Sequence, residues 1–366
     1  MPSAAYVRVN HPVTLPHASN GTGKTFLVTG GAGFIGSNFV HHIYDKYPDY
    51  RILVLDLLTY AGSLENLPGG FNHGSGGRLQ FWYGDVRNAS LVDSLVEQAD
   101  VVVHFAAETH VTRSIYDNYH FFETDVLGTQ VVANSVLKHV KHIDRFIHIS
   151  TSEVYGTARA PKMSEDAPLM PMSPYASAKA GADRLVYSYF ATYNLPAIIV
   201  RPFNQFGPRQ HLEKVIPRFI TSCLLGEPLR IHGDGSAARD FTYVEDTCRA
   251  LDCLAHADKT RLVGEVINLG YGESISLSDM APLVAKRMNK PDAEIIYVGD
   301  RPGQVFRHTA DPTKAQRLLG WRAEVSFEDG LDRTIAWYMA NRPWWEKQLW
   351  MRDIPIITKT GKRELH

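Results

Sequence analysis

KTFLVTGGAGFIGSNFVHHIYDKYPDYRILVLD, residues 24–56, decides the fold. A short apolar run (24–29) enters Thr29-Gly30-Gly31-Ala32-Gly33-Phe34-Ile35-Gly36, a helical pattern follows, and a second apolar run (51–56) closes on an acid. In the spacing Gly30-x-x-Gly33-x-x-Gly36 the first glycine permits a tight turn. The second lets backbone approach a pyrophosphate, and the third lets helix lie close to strand. The helix start offers unpaired N–H groups to phosphates. Asp56 falls 20 residues beyond Gly36. A carboxylate there accepts hydrogen bonds from both hydroxyls of an adenosine ribose and repels a 2′-phosphate, so the loop reads as a site for NAD rather than NADP. Upstream, Gly21-Thr22-Gly23-Lys24-Thr25 imitates an ATP phosphate loop. The first glycine of that motif would fall on Ala18 and no strand precedes it, so ATP binding is rejected.

Outward from this unit the rhythm repeats. LQFWYGD (79–85), DVVVHFAA (100–107), DRFIHIS (144–150) and AIIVRPF (197–203) are mostly continuous apolar runs, as strands covered on both faces are. Helical stretches at 89–98, about 117–140 and about 174–193 separate them. The alternation predicts an α/β fold: a doubly wound, Rossmann-type parallel sheet with a smaller C-terminal α/β substrate lobe. Residues 1–23 read as a disordered or extended arm, 24–203 as the NAD-binding domain, and 204–340 as the second lobe. That lobe has helices near 213–226, 244–257, 276–288 and 312–319, and sends a return strand near 266–270 to the main sheet. Residues 341–366 form a C-terminal extension whose NRPWWEKQLWMRD reads as an amphipathic helix packed on the body.

Composition narrows the function classes. With 44% hydrophobic residues the 366-residue chain has material for a large core. Lys+Arg number 38 against 39 Asp+Glu, with no basic block, so nothing supports a nucleic-acid surface. Cys223, Cys248 and Cys253 are odd in number and lack a CxxC spacing, which argues against disulfides and a zinc site and fits a reducing cytosol. No apolar run approaches the ~18–20 residues that span a bilayer, and the first residues do not read as a signal peptide. A cytoplasmic protein is expected.

Two further motifs carry chemistry. Ser173-Pro174-Tyr175-Ala176-Ser177-Ala178-Lys179 opens a helix, with Tyr175 and Lys179 on one face. A phenol titrates near ~10; an adjacent ammonium and a nicotinamide's positive charge would favour its anion as a base. Lys179 can also hold the nicotinamide ribose. The run 144–150 ends in Ser150-Thr151-Ser152-Glu153-Val154-Tyr155-Gly156, beyond the carboxyl end of a parallel strand, where ligands sit. The Thr151 hydroxyl could bridge a sugar oxygen to Tyr175, and Glu153 suits proton abstraction next to a carbonyl.

Together these residues resemble the extended short-chain dehydrogenase/reductases, specifically nucleotide-sugar 4,6-dehydratases of the dTDP-glucose type, from about residue 24 to 340. Asp56-Leu57-Leu58-Thr59-Tyr60-Ala61-Gly62 is similar to the family's D-K-L-T-Y-A-G, and Ala106-Ala107-Glu108-Thr109-His110-Val111-Thr112-Arg113-Ser114 to its A-A-E-S-H-V-D-R-S. Arg201-Pro202-Phe203-Asn204, Gly207-Pro208-Arg209-Gln210, Glu213-Lys214-Val215-Ile216-Pro217, Arg239-Asp240, Asn268 and Asp300-Arg301-Pro302-Gly303 resemble its nucleotide-sugar segments. The resemblance implies that Tyr175 takes the proton of the sugar 4-OH while the C4 hydride goes to NAD. Glu153 then takes the C5 proton, water leaves from C6, and the hydride returns to C6, giving a 4-keto-6-deoxy sugar nucleotide. It implies Thr151, Ser152, Glu153, Tyr175 and Lys179 as the catalytic set. Gly30, Gly33, Phe34, Ile35, Gly36, Asp56, Leu57, Thr59, Asp85, Val86, Phe105, Ala107 and Thr124 would join Tyr175 and Lys179 around NAD. His110, Asn204, Glu213, Lys214, Val215, Arg239, Asn268 and Arg301 would contact the nucleotide sugar, with Lys214, Arg239 and Arg301 on its diphosphate. No metal is implied.

The sequence also departs from that family. Ser152 stands where the dTDP-glucose enzymes have the Asp taken as the acid for the leaving C6 hydroxyl, and serine cannot replace it directly. Thr-Ser-Glu is the triplet of GDP-mannose 4,6-dehydratases and occurs in UDP-glucuronate decarboxylases; in such enzymes one Glu can both take the C5 proton and deliver it to the leaving oxygen. Thr112 replaces an Asp, Gln304 and Val305 replace a His-Asp pair, and His232 stands where Tyr is usual. These changes touch sugar and nucleotide contacts, so dTDP, UDP, GDP and CDP hexoses stay open. A UDP-glucuronate decarboxylase or a 4-epimerase is the alternative on the same scaffold. The resemblance further implies a homodimer built from the helices near 117–140 and 174–193.

Overall fold

β1 (Thr25–Thr29) runs into a turn at Gly30, where φ is +68°, and α1 (Phe34–Lys46) begins directly after the glycine loop. In this computed structural model residues 23–300, 303, 305–353, 355–357 and 361–365 are described. The arm expected over 1–23 lies almost wholly outside them, as do Arg301, Pro302 and Gln304.

The first half continues as β2 (Arg51–Asp56), β3 (Asn72–His73), β4 (Leu79–Tyr83), α2 (Ala89–Val96), β5 (Val101–His104), α3 (Val111–Tyr116), a single turn α4 (Tyr119–Phe121), a π-helical segment Phe122–Gly128, α5 (Thr129–Lys138), β6 (Arg145–Ile149), α6 (Pro174–Tyr193) and β7 (Ala197–Pro202). The second half adds β8 (Asn204–Phe206), α7 (Val215–Leu225), β9 (Leu229–His232), β10 (Ala238–Arg239), β11 (Phe241–Tyr243), α8 (Val244–His256), β12 (Val266–Leu269), β13 (Ile275–Ser276), α9 (Leu277–Arg287), β14 (Ile295–Val298), β15 (Arg307–His308), α10 (Thr313–Leu319), α11 (Phe327–Ala340) and α12 (Arg342–Glu346).

The main sheet has the order β12-β7-β6-β5-β1-β2-β4-β3, and every neighbouring pair runs parallel. Alternate side chains serve opposite faces. Phe26, Val28, Ile52, Val54, Val101 and Val103 join α1, α8 and α10 in one core, while Leu27, Leu53, Leu55 and Val102 join α2, α5 and α6 in the other. Burying each such side chain contributes roughly 1.5–3 kcal/mol, which is why these strands read as unbroken apolar runs. The chain builds outward from β1 to β3, then returns to place β5 on the other side of β1. The crevice beyond the carboxyl ends of β1 and β5 is therefore the switch point where ligands bind in such sheets.

One expectation needs correction. The helix anticipated over about 117–140 starts at Tyr119, after Asp117 (ψ 89°) ends α3, and runs to Lys138, but it is widened into a π turn over Phe122–Gly128 before α5 begins. There the Thr129 hydroxyl donates to the Asp125 carbonyl at 2.5 Å, and Asp125 is wholly buried. By contrast α6 covers the anticipated stretch, because Ser173 caps it by accepting from Ala176 N–H at 3.1 Å and Pro174 occupies its first turn.

The second lobe has its own core of Phe206, Phe219, Ile220, Val284, Leu331, Tyr338 and Trp345. β12 returns to the main sheet beside β7, and β10 lies parallel to β15, with Arg239 beside His308. Two C-terminal tryptophans pack inward: Trp345 Nε1 donates to Tyr338 O at 2.7 Å and Trp344 Nε1 to Asn66 Oδ1 at 2.8 Å. Trp350 does not; it is 79% exposed. Among the described residues no helix is long and apolar enough to cross a membrane, and no group of His, Cys, Asp and Glu could hold a metal ion.

Candidate active site

A cleft of about 440 Å³ runs from the glycine loop across the sheet ends into the second lobe. Its size suits a small-molecule site. At one end Gly30, Gly33, Phe34, Ile35 and Gly36 line it, with Asp56, Leu57, Thr59, Asp85, Val86, Phe105, Ala107 and Thr124 around them. No side chain caps the first N–H groups of α1, since Gly33 occupies the cap. A Cβ on Gly36 would lie 2.3 Å from Gly30 O, so helix and turn approach as closely as glycine allows. Asp56 accepts from Ala32 N–H at 2.9 Å and Leu58 N–H at 2.8 Å; burial pushes its carboxyl up, and these two bonds oppose that. An uncapped helix start, a glycine cradle and an acid fixed by backbone fit a pyrophosphate and a ribose, and these residues would hold NAD.

In the middle, Thr151, Ser152, Glu153, Tyr175 and Lys179 come together. The Thr151 hydroxyl accepts from Glu153 N–H at 3.2 Å and so starts a 3₁₀ turn, Ser152–Tyr155, immediately after β6. Thr151 also lies beside the Tyr175 phenol and lowers it. Lys179 Nζ donates to Ile149 O at 2.7 Å, which ties α6 to the end of β6. Burial raises the Tyr175 phenol, Asp125 and Glu153 raise it further, and only Thr151 opposes them. The protein alone therefore favours the neutral phenol, and a bound nicotinamide's positive charge would act in the opposite direction. Lys179 is lowered by burial, with Asp125 and Asp183 holding its charge.

Asp125 is the member of this centre that sequence reasoning missed. It accepts from Glu108 N–H at 2.8 Å, and burial pushes its carboxyl up to about 8 against the pull of Lys179. The only available signal was one acid on an otherwise inward helix face.

The far end is lined by His110, Asn204, Glu213, Lys214, Val215 and Arg239, and also by Arg218, Arg230, His232 and Arg352, of which only His232 was singled out from sequence. Glu213 is the hub. Its side chain is 1% exposed, with His110 Nε2 at 3.6 Å, Arg113 Nε at 3.7 Å, His211 Nδ1 at 3.8 Å and Lys214 Nζ at 3.3 Å. The Tyr60 hydroxyl donates to it at 3.1 Å. Burial alone would push its carboxyl up; these neighbours, with His110 foremost, bring it down to about 2. Arg352 is buried with Nε and Nη1 unpartnered, so the C-terminal segment brings guanidinium donors to this end.

Asn268 must be taken out of the substrate set. It is fully buried away from the cleft, its Oδ1 accepting from Tyr155 Oη at 2.7 Å and its Nδ2 donating to Met163 O at 3.0 Å. Its amide holds the Tyr155–Arg201–Asp183 network together, where Arg201 spans both Asp183 oxygens at 2.8 and 2.9 Å. Arg301 lies outside the described residues.

Comparison with known proteins identifies relatives over most of the chain. Residues 27–334 match the GDP-mannose 4,6 dehydratase family. The chain is 46% identical over 315 residues to the low-salt glycan biosynthesis protein Agl12 of Haloferax volcanii, covering 86% of this chain and 98% of that one. It is 40% identical to a dTDP-glucose 4,6-dehydratase of an Actinoplanes species, covering 87% and 99%. The crystal structure of DesIV, a dTDP-glucose 4,6-dehydratase from Streptomyces venezuelae with NAD bound, superposes with a TM-score of 0.82 at 40% identity over 88% of this chain and 99% of that one. With a family model matched over most of its length and relatives at about 40% identity covered almost end to end, this chain belongs to the GDP-mannose 4,6-dehydratase family of the extended short-chain dehydrogenase/reductases.

Proposed function

We propose that this chain converts a pyrimidine nucleoside diphosphate glucose into its 4-keto-6-deoxy derivative, with the cleft's middle third as the catalytic centre. The observation that carries the reading is the convergence of Thr151, Glu153, Tyr175 and Lys179 at one point between the glycine cradle and the arginine-lined end. NAD, when bound, supplies oxidation at C4 and reduction at C6. The positive charge of a bound nicotinamide would favour the Tyr175 anion, which then receives the 4-OH proton, and Thr151 opposes the upward push of burial on the phenol. Once C4 is a ketone the C5 proton is acidified, and Glu153 removes it. Lys214 and Arg239, with Arg218 and Arg352, bind and neutralise the diphosphate by charge-assisted hydrogen bonds.

Glu153 favours dehydration over 4-epimerisation, which needs no base at C5. The partner that fits the surface is a second copy of the chain: Tyr116, Tyr119, Phe122, Leu127 and Tyr187, on α3 to α6, are all more than 40% exposed. The three free cysteines fit a cytoplasmic setting. The deciding experiment incubates the enzyme in D2O with dTDP-glucose, UDP-glucose, GDP-mannose and UDP-glucuronate. A 4-keto-6-deoxy product from dTDP- or UDP-glucose, carrying deuterium at C5, is expected. Release of CO2 from the uronate, or a C4 epimer as the product, overturns the assignment.

A further inference from the structure

Ser152 occupies the cleft beside Glu153, yet an alcohol protonates a leaving hydroxyl only if its own proton is replaced as it departs. The group placed to replace it is His308, on β15 behind the 3₁₀ turn. Its Nδ1 lies 3.4 Å from Ser152 Oγ and 3.9 Å from Glu153 Oε1. Its Nε2 lies 2.6 Å from Gly156 O. A carbonyl only accepts, so Nε2 carries the proton and Nδ1 of the neutral ring is left as a base facing both side chains. Gly156 is held in place for this contact: its φ is +69°, and a Cβ there would meet Met170 O at 2.2 Å. The ring is fully buried, with Phe203 edge-on at 6.1 Å and, as charged neighbours, Glu153 from the turn and Arg239 from β10. Burial lowers the imidazole, Arg239 lowers it further, and Glu153 and the Gly156 bond oppose them, which leaves Nδ1 open at neutral pH.

We propose that His308 is a positioning residue that relays the C5 proton from Glu153 to Ser152, so that Ser152 acts as the acid for the leaving C6 oxygen; the proposal rests on the dehydratase reading above. The Glu153 carboxylate takes the C5 proton, and the C5 electron pair forms the C5–C6 double bond. The proton on Glu153 passes to His308 Nδ1, the Nδ1 proton passes to Ser152 Oγ, and the Ser152 hydroxyl proton passes to the C6 oxygen. The C6–O bond breaks and water leaves. Glu153 ends as a carboxylate, His308 neutral and Ser152 a hydroxyl, so no outside acid is consumed. Both spans are long for proton transfer, as is common before substrate closes a site. Direct return of the proton by Glu153 alone would give neither Ser152 nor Nδ1 a task.

The test is single-turnover kinetics of the holoenzyme with whichever of dTDP-glucose and UDP-glucose the wild type converts. In His308→Gln, C4 oxidation, read as nicotinamide absorbance, is expected within about threefold of wild type, while product formation falls about 100-fold. Adding Ser152→Asp, which brings its own acidic proton, is expected to recover at least about tenfold of that loss, with a rate that declines as pH rises. Ser152→Ala is expected to lose about 100-fold by itself, and it decides the matter if His308→Gln does not fold. The relay is overturned if Ser152→Ala eliminates water at the wild-type rate, or if His308→Gln loses oxidation and elimination together without recovery by Ser152→Asp. If the wild type converts neither sugar nucleotide, the dehydratase reading falls first and the relay with it.

Discussion

Replacing Gly36 and Gly33 in turn by alanine separates what the glycine loop does for folding from what it does for binding. At Gly36 the added Cβ would sit 2.3 Å from Gly30 O and 2.9 Å from Gly31 Cα, both backbone atoms. Relief to 3.0 Å requires α1 to move by about 0.7 Å, but Phe39, Val40 and Ile43 on that helix are at most 1% exposed in the sheet-facing core. Overpacking of this kind costs about 1–3 kcal/mol. The same movement pulls the α1 N–H groups off a pyrophosphate, and a hydrogen bond to a charged group contributes about 1.5–3 kcal/mol. At about 1.4 kcal/mol per tenfold this weakens NAD roughly 10- to 100-fold. At Gly33 the only contact within 4 Å is Gly30 O at 3.3 Å, so a Cβ is nearly free of the protein and instead narrows the cleft. Gly33→Ala is therefore expected to melt like wild type without cofactor yet lose about tenfold or more in NAD affinity, whereas Gly36→Ala loses both. Thermal melts and calorimetric titration of NAD into cofactor-stripped enzyme measure the two quantities. Equal destabilisation by both substitutions, or wild-type behaviour of Gly36→Ala, would refute this geometry.

Three other substitutions test the centre and its support. Thr151→Val removes the one neighbour that lowers the Tyr175 phenol, so its pKa rises and less anion forms at neutral pH; C4 oxidation should slow about 10- to 100-fold, with the deficit shrinking as pH is raised, and a pH-independent deficit would contradict the role. Asp183→Asn breaks a buried ion pair with Arg201 and should cost about 3–5 kcal/mol in urea unfolding at neutral pH. Because Arg201 holds the Asp183 carboxyl below its usual range despite burial, that contribution is present above the unfolded pKa of about 4 and fades as pH falls through the folded value, so the gap between the proteins should close in acid. Asn268→Ala leaves Tyr155 and Met163 with unmatched polar groups and should cost about 1–3 kcal/mol of stability with little change in KM; a large rise in KM with stability intact would return Asn268 to the substrate set.

What could be read from sequence was what is encoded locally. The sheet strands announce themselves because burial on both faces demands unbroken apolar runs, and α6 because Ser173 and Pro174 mark its start. The π turn at Phe122–Gly128 had no such mark: it depends on Thr129 bonding back to the Asp125 carbonyl, one residue choice within an otherwise helical pattern. Asn268 was misassigned because a buried amide joining Tyr155 to Met163 and a substrate-binding amide look alike in one dimension. His308 could not be found at all, since its importance comes from the pairing of β10 with β15, strands of two residues each lying far apart in sequence.

The turn after β6 explains how three consecutive residues reach three different partners. Had β6 continued as a strand, Thr151 and Glu153 would share one face and Ser152 would point away from both. A 3₁₀ turn, with 3.0 residues per turn, instead spaces successive side chains by roughly 120°. Thr151 therefore meets the Tyr175 phenol, Ser152 meets His308 Nδ1, and Glu153 stays within reach of that same nitrogen from the cleft. The Thr151 hydroxyl bonded to Glu153 N–H sets the turn, so one side chain both positions the base for C5 and touches the base for the 4-OH. Moving any of the three by one position would detach the partner it now has, and for Ser152 that partner makes an otherwise inert alcohol useful as an acid.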